Sequence, residues 1–393
     1  MIFKKFSMLA IAAGLALSAT AQIDQDNCPL PKKLNGYEFK DVKQLGTTSV
    51  KNQYKSGTCW VYSTHSFFES ELLREGKGEF DLSEMYVSRA GYLEKGINYV
   101  RRQGGATFGQ GAENHDVLQI IGKYGIIPKS VYSGFAAGED KPNHNEMESV
   151  LKAMLEAFVK SADGKTLSPN WFKAYQGAVD GYFGAPPAEF EVKGKKYTPQ
   201  TYFQSLGLNL DDYVAFTSYT HHPFWKPFVL EVSDNYSNGM FYNVPIDDFQ
   251  RIVDNSLSKN YSVLWAADVS EKGFSMKEGL AIMPDVKWED LTQVQKDSLF
   301  KAPQKERWVS QEERQKAFDE LSTTDDHGMH ITGSAKDQNG TTYYIVKNSW
   351  GTTINKDTKG FLYVSAPYFR YKTMSFMVHK DAIPQDIRQK LRL

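Results

Sequence analysis

Between positions 331 and 346 the chain is strongly committed to turning back on itself. Residues 331–335 and 342–346 are rich in β-formers and flank Asp337-Gln338-Asn339-Gly340, whose Asn-Gly step is a strong hairpin signal. A different period rules the early part. No Pro or Gly interrupts 60–74, and Val61, Phe67, Phe68, Leu72 and Leu73 fall at helix-compatible spacing. Further helices are expected at 144–163 and 246–258, the latter leading into a strand at 262–267. With 393 residues, 41% of them hydrophobic, one large α/β or α+β domain with insertions can bury a sizeable core. That composition excludes disorder and collagen-like architecture. The 46 basic and 47 acidic residues leave a net charge of -1, so nothing in the totals points to a nucleic acid or an anionic membrane as partner.

The N-terminus departs from this even composition. Lys4 and Lys5 precede an apolar run at 8–17, and Ala19-Thr20-Ala21 is a small-x-small site. This pattern reads as a cleavable secretory signal over 1–21, leaving a soluble, exported chain from 22 to 393. The run is about ten residues, whereas a bilayer span needs roughly 20, so no membrane anchor is expected in the mature form. No cysteine follows the cleavage site directly, so a lipid anchor is not indicated either.

Two cysteines in an exported chain invite a disulfide between Cys28 and Cys59. Their surroundings differ, however. Cys28 lies in a turn-rich segment, Asp26-Asn27-Cys28-Pro29-Leu30-Pro31, while Cys59 follows the Ser56-Gly57 loop and opens the first predicted helix. There, free N–H groups and the positive end of the helix dipole favour a thiolate, the nucleophilic form. An active thiol also needs a base, a group that orients the base, and donors for the oxyanion. Gln53, six residues upstream, is placed for its amide to reach the same pocket as the Cys59 N–H. A small buried Cys and a solvated Gln are the plainer alternatives.

His327 lies ahead of the hairpin and Asn348 just after it. Within a couple of residues they face each other, so the Asn carbonyl is placed to accept from an imidazole N–H and hold the ring toward a thiol. Trp350 is placed to shield that bond. Taken singly, a strand His and an Asn-Ser turn are more often structural.

Together, Gln53-x5-Cys59-Trp60, a His before a hairpin, and Asn348-Ser349-Trp350-Gly351 resemble the papain superfamily of cysteine peptidases. The chain is similar in particular to the bleomycin hydrolase and aminopeptidase C branch. The residues that carry this are Val50-Lys51-Asn52-Gln53, Leu82-Ser83-Glu84-Met85-Tyr86, Gly111-Ala112-Glu113-Asn114-His115-Asp116, Lys123-Tyr124-Gly125-Ile126-Ile127-Pro128, His327-Gly328-Met329 and Lys347-Asn348-Ser349-Trp350-Gly351. The likeness spans about 45–133 and 240–385. It implies an α+β papain-like fold, with a helical half that carries the nucleophile helix and an antiparallel β half, interrupted by a large insertion at about 134–242. It also implies Cys59 as nucleophile, His327 as general base and acid, Asn348 as orienter and Gln53 as oxyanion donor, acting on peptide substrates without a cofactor. Oligomerisation is possible by family analogy. His330 competes with His327. Three apart on a strand, the two point to opposite faces, and the His-small-Met pattern selects His327, leaving His330 as a partly buried neighbour. A catalytically silent binding protein and a transglutaminase-like acyl transferase are the alternative readings. The full Cys, His, Asn and Gln set argues against the first, and Asn rather than Asp beside the His against the second.

Within 134–242 the aromatics Tyr202, Phe203, Tyr213, Phe216, Tyr219, Phe224 and Trp225 read as core and lid. His221-His222 suggests no metal site, since no carboxylate or thiol stands at ligand spacing. Only a short stretch precedes Cys59 after the signal, leaving little room for a folded inhibitory segment. At the other end, relatives of this branch send a C-terminal arm into the cleft, where its carboxylate engages the substrate amine. Here 386–393 reads as the end of a helix and the arm looks truncated, so endopeptidase activity is expected to accompany or replace aminopeptidase activity.

Overall fold

The computed structural model describes residues 30–135, 140–162 and 166–393. The signal at 1–21 and Cys28 lie outside them. The first helix, α1 (Cys59–Arg74), is followed by α2 (Glu84–Arg101), α3 (Asn114–Tyr124), α4 (Asn145–Ser161), α5 (Trp171–Phe183), α6 (Pro199–Leu206) and α7 (Ile246–Ser258). The central strands are β1 (Lys40–Gln44), β2 (Tyr213–Thr217), β3 (Val263–Ala267), β4 (His327–Lys336), β5 (Thr342–Lys347), β6 (Phe361–Ser365) and β7 (Thr373–His379). In the sheet they run β6-β5-β4-β3-β7-β2, with β1 also pairing β4 and short strands extending both edges.

The hairpin forms as its sequence dictates. Gly340 takes a φ of 86°, and the Asp337 carboxylate accepts from the N–H groups of Asn339 and Thr341. From that turn the register is set, with Lys336 opposite Thr342 and His330 opposite Lys347. β4 begins at His327, four residues before the β-rich run, because its first residues pair with β3 instead, His327 opposite Ala267.

Sheet strands covered on both faces read as continuous apolar runs, and β3, Val-Leu-Trp-Ala-Ala, is buried throughout. On one face Leu264 and Met377 join the core of the helical half, with Trp60, Val61, Phe67 and Phe68 of α1. On the other, Trp265, Met329, Ile331 and Phe376 pack against Phe249, Ile252, Val253 and Leu257 of α7. The 134–242 stretch supplies α4, α5 and α6, whose Leu151, Leu155, Tyr175, Val179 and Tyr202 belong to the same core as α1. It also supplies β2, which pairs with β7. Among its aromatics, Tyr202, Phe216 and Tyr219 are buried. The last helix, Gln385–Leu391, seats Ile387 and Leu391 in the core under α7. Among the described residues no helix is long and apolar enough to cross a membrane.

Candidate active site

α1 starts at Cys59, and Thr58 closes its first turn, its carbonyl accepting from the N–H groups of Val61 and Tyr62. The loop ahead of it is held tightly. Ser56 Oγ donates to the Gln53 carbonyl (2.7 Å), and Gly57 N–H donates to Gln110 Oε1 (2.6 Å). Gly57 is required there, because an added Cβ would lie 2.8 Å from that of Gln110. Trp60 Nε1 donates to the Gln110 carbonyl (3.0 Å), which fixes the helix start against the 109–111 strand of loop.

The start of β4 passes directly over this helix end. A Cβ on Gly328 would meet Ser63 Oγ, Asn114 Oδ1 and the Cys59 carbonyl carbon at 2.8, 3.3 and 3.4 Å, so only glycine permits the approach. Among the described residues Cys59 is a free thiol, and Cys28 lies outside them.

His327 Nε2 is 2.8 Å from Asn348 Oδ1. The amide orientation is fixed independently, since Asn348 Oδ1 also accepts from the Ser349 N–H (2.7 Å). An oxygen in that position can only accept, so Nε2 carries the proton and Nδ1 presents a lone pair. The Trp350 ring lies 4.6 Å from the imidazole and covers it. Gln53 is tied to the same turn. Its N–H donates to the Ser349 carbonyl (2.8 Å), and its Oε1 accepts from Ser349 Oγ (2.6 Å). One Nε2 proton goes to the Ser56 carbonyl (2.7 Å), leaving the other for a ligand.

Cys59, Gly328, His327, Asn348, Trp350 and Gln53 therefore share one site. Burial pushes the Cys59 thiol up to about 12; the N–H groups of Gly328 and Trp60 oppose this, and Asp325 and Asp234 add to it. Burial pushes His327 down to about 4, against the pull of Asn348. Burial thus opposes the charged form of each group, while the helix end and the N–H groups of Gly328 and Trp60 favour the thiolate.

His330 differs from its sequence reading. It is fully buried rather than partly so, and it occupies the strand face turned to α1, where its Nδ1 meets Ser66 Oγ at 2.9 Å. His327 reaches the site because it begins the strand, so strand parity does not by itself select it. The reading of His221-His222 also needs correction. Glu231, nine residues on, pairs with both, Oε2 to His221 Nε2 (3.1 Å) and Oε1 to His222 Nε2 (2.7 Å). The partner arrives through the fold of 223–230, which local spacing does not reveal.

Several residues of the site escaped sequence reasoning. Ser349 links Gln53 to Asn348, and Lys95 underlies the loop with its ammonium on the carbonyls of Gly109, Gln110 and Gly111. Lys51 meets Glu69, Asp81 and Glu84 at 2.9, 2.7 and 2.6 Å. Lys51 and Ser349 lie inside the recognised motifs, which was the available signal. Lys95 gave none.

The fold and this geometry are those of a papain-type cysteine peptidase. The model of the Peptidase C1-like family matches residues 185–392, more than half of the chain, and the chain belongs to that family, in the aminopeptidase C branch of the papain superfamily. Aminopeptidase G of Lactobacillus delbrueckii subsp. lactis is 25% identical over 394 residues, covering 88% of this chain and 84% of that protein. Aminopeptidase C of the same organism is 25% identical over 389 residues, with 88% and 82% covered. Aminopeptidase C of Streptococcus thermophilus is 24% identical over 380 residues, with 86% and 81% covered. Among solved structures, PepW from Lactobacillus rhamnosis superposes with a TM-score of 0.68 at 20% identity, over 93% of this chain and 85% of that one. This shares the fold.

Proposed function

We propose that the chain is an aminopeptidase in which Cys59 attacks the peptide carbonyl, His327 moves the proton and Asn348 holds the imidazole. The observation that carries this is the bond from His327 Nε2 to an Asn348 oxygen already fixed by the Ser349 N–H. It leaves Nδ1 as the basic nitrogen beside the α1 terminus. The Cys59 proton passes to Nδ1 as sulfur bonds to the carbonyl carbon. The oxyanion accepts from the Cys59 N–H, which has no carbonyl partner in the first turn of its helix, and from the free Nε2 proton of Gln53. Collapse breaks the C–N bond, and Nδ1–H protonates the departing amine. Water, deprotonated by Nδ1, then hydrolyses the thioester and restores the thiol.

Mass-spectrometric mapping of cleavage positions in a mixed peptide library tests this reading. Single residues should be released from N-termini by the wild type and by no Cys59→Ala protein. Retention of turnover by folded Cys59→Ala defeats it. Endopeptidase cleavage appears in the same experiment as internal cuts in blocked peptides. We also propose export directed by residues 1–21, on the Lys4-Lys5 start, the short apolar run and Ala19-Thr20-Ala21. An intact N-terminus on protein recovered from the producing cells would refute it.

A further inference from the structure

Two imidazoles and a carboxylate meet at one point that the peptidase chemistry does not use. His221 and His222 follow β2, and Glu231 follows the short strand Pro227–Val229, so the chain folds back to bring the three together. Glu231 Oε2 is 3.1 Å from His221 Nε2, and its Oε1 is 2.7 Å from His222 Nε2. The ligand atoms of all three lie within 4.8 Å of one another. Both rings thus aim the same nitrogen at one carboxylate.

The rings are held from behind. His222 stacks on Phe228, with centroids 4.2 Å apart and planes 25° from parallel. His221 stacks on Phe318 at 5.4 Å and 10°. The backbone is staked too, because the buried Asn243 amide donates to the carbonyls of Tyr219 (2.7 Å) and His222 (2.9 Å). Gln315, on the helix Gln311–Asp319, meets His221 Nδ1 with both ends of its amide, Nε2 at 3.0 Å and Oε1 at 3.4 Å. It therefore supports that nitrogen as acceptor or as donor. A histidine that binds a metal through Nε2 carries its proton on Nδ1, and a partner for that proton fixes the ring. Burial would raise the Glu231 carboxyl, but the bonds from His222 and His221 outweigh it and hold the group below its ordinary value. The side chains of His221, His222 and Glu231 are 28, 35 and 54% exposed, so an ion reaches them from solvent and water completes its shell.

We propose that His221, His222 and Glu231 bind one divalent ion of the zinc class, which clips the 221–231 loop closed. Bonds of about 2.0–2.1 Å at a near-tetrahedral angle set ligand atoms roughly 3.3 Å apart. The two His–Glu contacts need only widen slightly to admit the ion. In each neutral ring the proton that Nε2 gives up is carried on Nδ1, and the ion answers the charge of Glu231. Two imidazoles with one carboxylate suit zinc, nickel or copper, whereas calcium and magnesium favour sites built of oxygen ligands. The role is structural, and no step of peptide hydrolysis runs through the ion.

Zinc also binds thiols, so affinity is read on Cys59→Ala protein free of any polyhistidine tag. Competition with a chromogenic chelator should show one tightly bound zinc per chain that a thousandfold excess of magnesium does not displace. Adding His222→Ala or Glu231→Gln should weaken binding at least tenfold, and Gln315→Ala, which touches only the outer nitrogen, about tenfold. Melting temperatures without zinc identify the variants that remain folded. Zinc should raise the melting temperature with the logarithm of its free concentration above Kd, and should slow hydrogen exchange of the 220–231 amides. Both effects should vanish in the Glu231→Gln protein. Absence of zinc binding, or equal affinity in folded His222→Ala and Glu231→Gln, overturns the proposal, since the three residues are then surface ion pairs only. Displacement by magnesium overturns the zinc-class assignment, and zinc binding that leaves exchange of these amides unchanged overturns the clip.

Discussion

The Oγ of Ser66 stands 2.9 Å from Nδ1 of His330, two turns along α1 from Cys59. This pins the second histidine of β4 into the interface between sheet and helix. Burial and Lys347 hold its pKa well below the ordinary value, so it stays neutral.

The two histidines should therefore fail in different ways. His327→Ala should lower kcat by about 10² to 10⁴, the usual effect of losing a general acid or base, with little change in melting temperature. His330→Ala removes a ring from a closed interface and should lower the melting temperature, while the folded fraction keeps most of its turnover. Paired thermal melts and active-site-normalised rates decide between them. Equal rate losses in two folded variants would refute the assignment.

Lys51 lies two residues before Gln53, and its carbonyl accepts from the Gly351 N–H (3.1 Å). Its ammonium is the shared counter-ion of Glu69, Asp81 and Glu84. Burial alone would lower its pKa, but Glu84, Glu69 and Asp81 outweigh that and raise it. Lys51→Met leaves Glu69 and Glu84 buried without it, and breaking such a set typically costs about 3–5 kcal/mol. Urea unfolding should show this loss. Lys51→Met at wild-type stability would mean that these acids are neutral in the native state.

The Cys59 thiol should be slow to alkylate when no ligand is present, because burial holds the proton on sulfur and Asp325 and Asp234 oppose ionisation. Removing one negative charge favours the thiolate. Iodoacetamide labelling at pH 7.5 should accordingly be faster in Asp325→Asn and Asp234→Asn than in the wild type, and this rate involves no peptide. Slower labelling in both variants would reverse the sign of the argument.

What the sequence made legible was local. The Asn339-Gly340 turn, the uninterrupted 60–74 run and the 246–258 helix each carry their signal within a few residues, and the structure places α1, α7 and the β4–β5 hairpin there. The shared positions of Cys59, His327, Asn348 and Gln53 were readable only through motif resemblance, because the contacts between them join segments nearly 300 residues apart. The pairing of Glu231 with His221 and His222 was hidden differently, because the fold of 223–230 brings together residues nine and ten apart that have no ligand spacing in the sequence. Lys95 was hidden too, since a lysine in a helix reads as solvated until its ammonium is seen on three carbonyls.

Two buried groups give opposite slopes of stability against pH, and together they test the burial that the fold imposes. Burial and Lys95 lower His144 to about 4, so the native state resists a proton that the unfolded chain accepts near 6.5. Its contribution is complete above pH 6.5 and is lost as pH falls toward 4. Replacing it with an apolar residue removes that loss. His144→Leu should therefore gain stability relative to the wild type as pH drops across this window, by roughly 1.4 kcal/mol per pH unit. Glu306 behaves in reverse. Burial raises it to about 7, against the donors Ser365, Met283 and Tyr343, so the native state holds a proton that the unfolded chain has released. That contribution is present below pH 4.5 and fades as pH rises through 7. Glu306→Gln should gain relative to the wild type as pH rises over that range. Urea midpoints of the three proteins at half-unit steps from pH 4 to 7.5 measure both slopes. Parallel curves for either variant would show that its side chain ionises in the folded protein as freely as in the unfolded one.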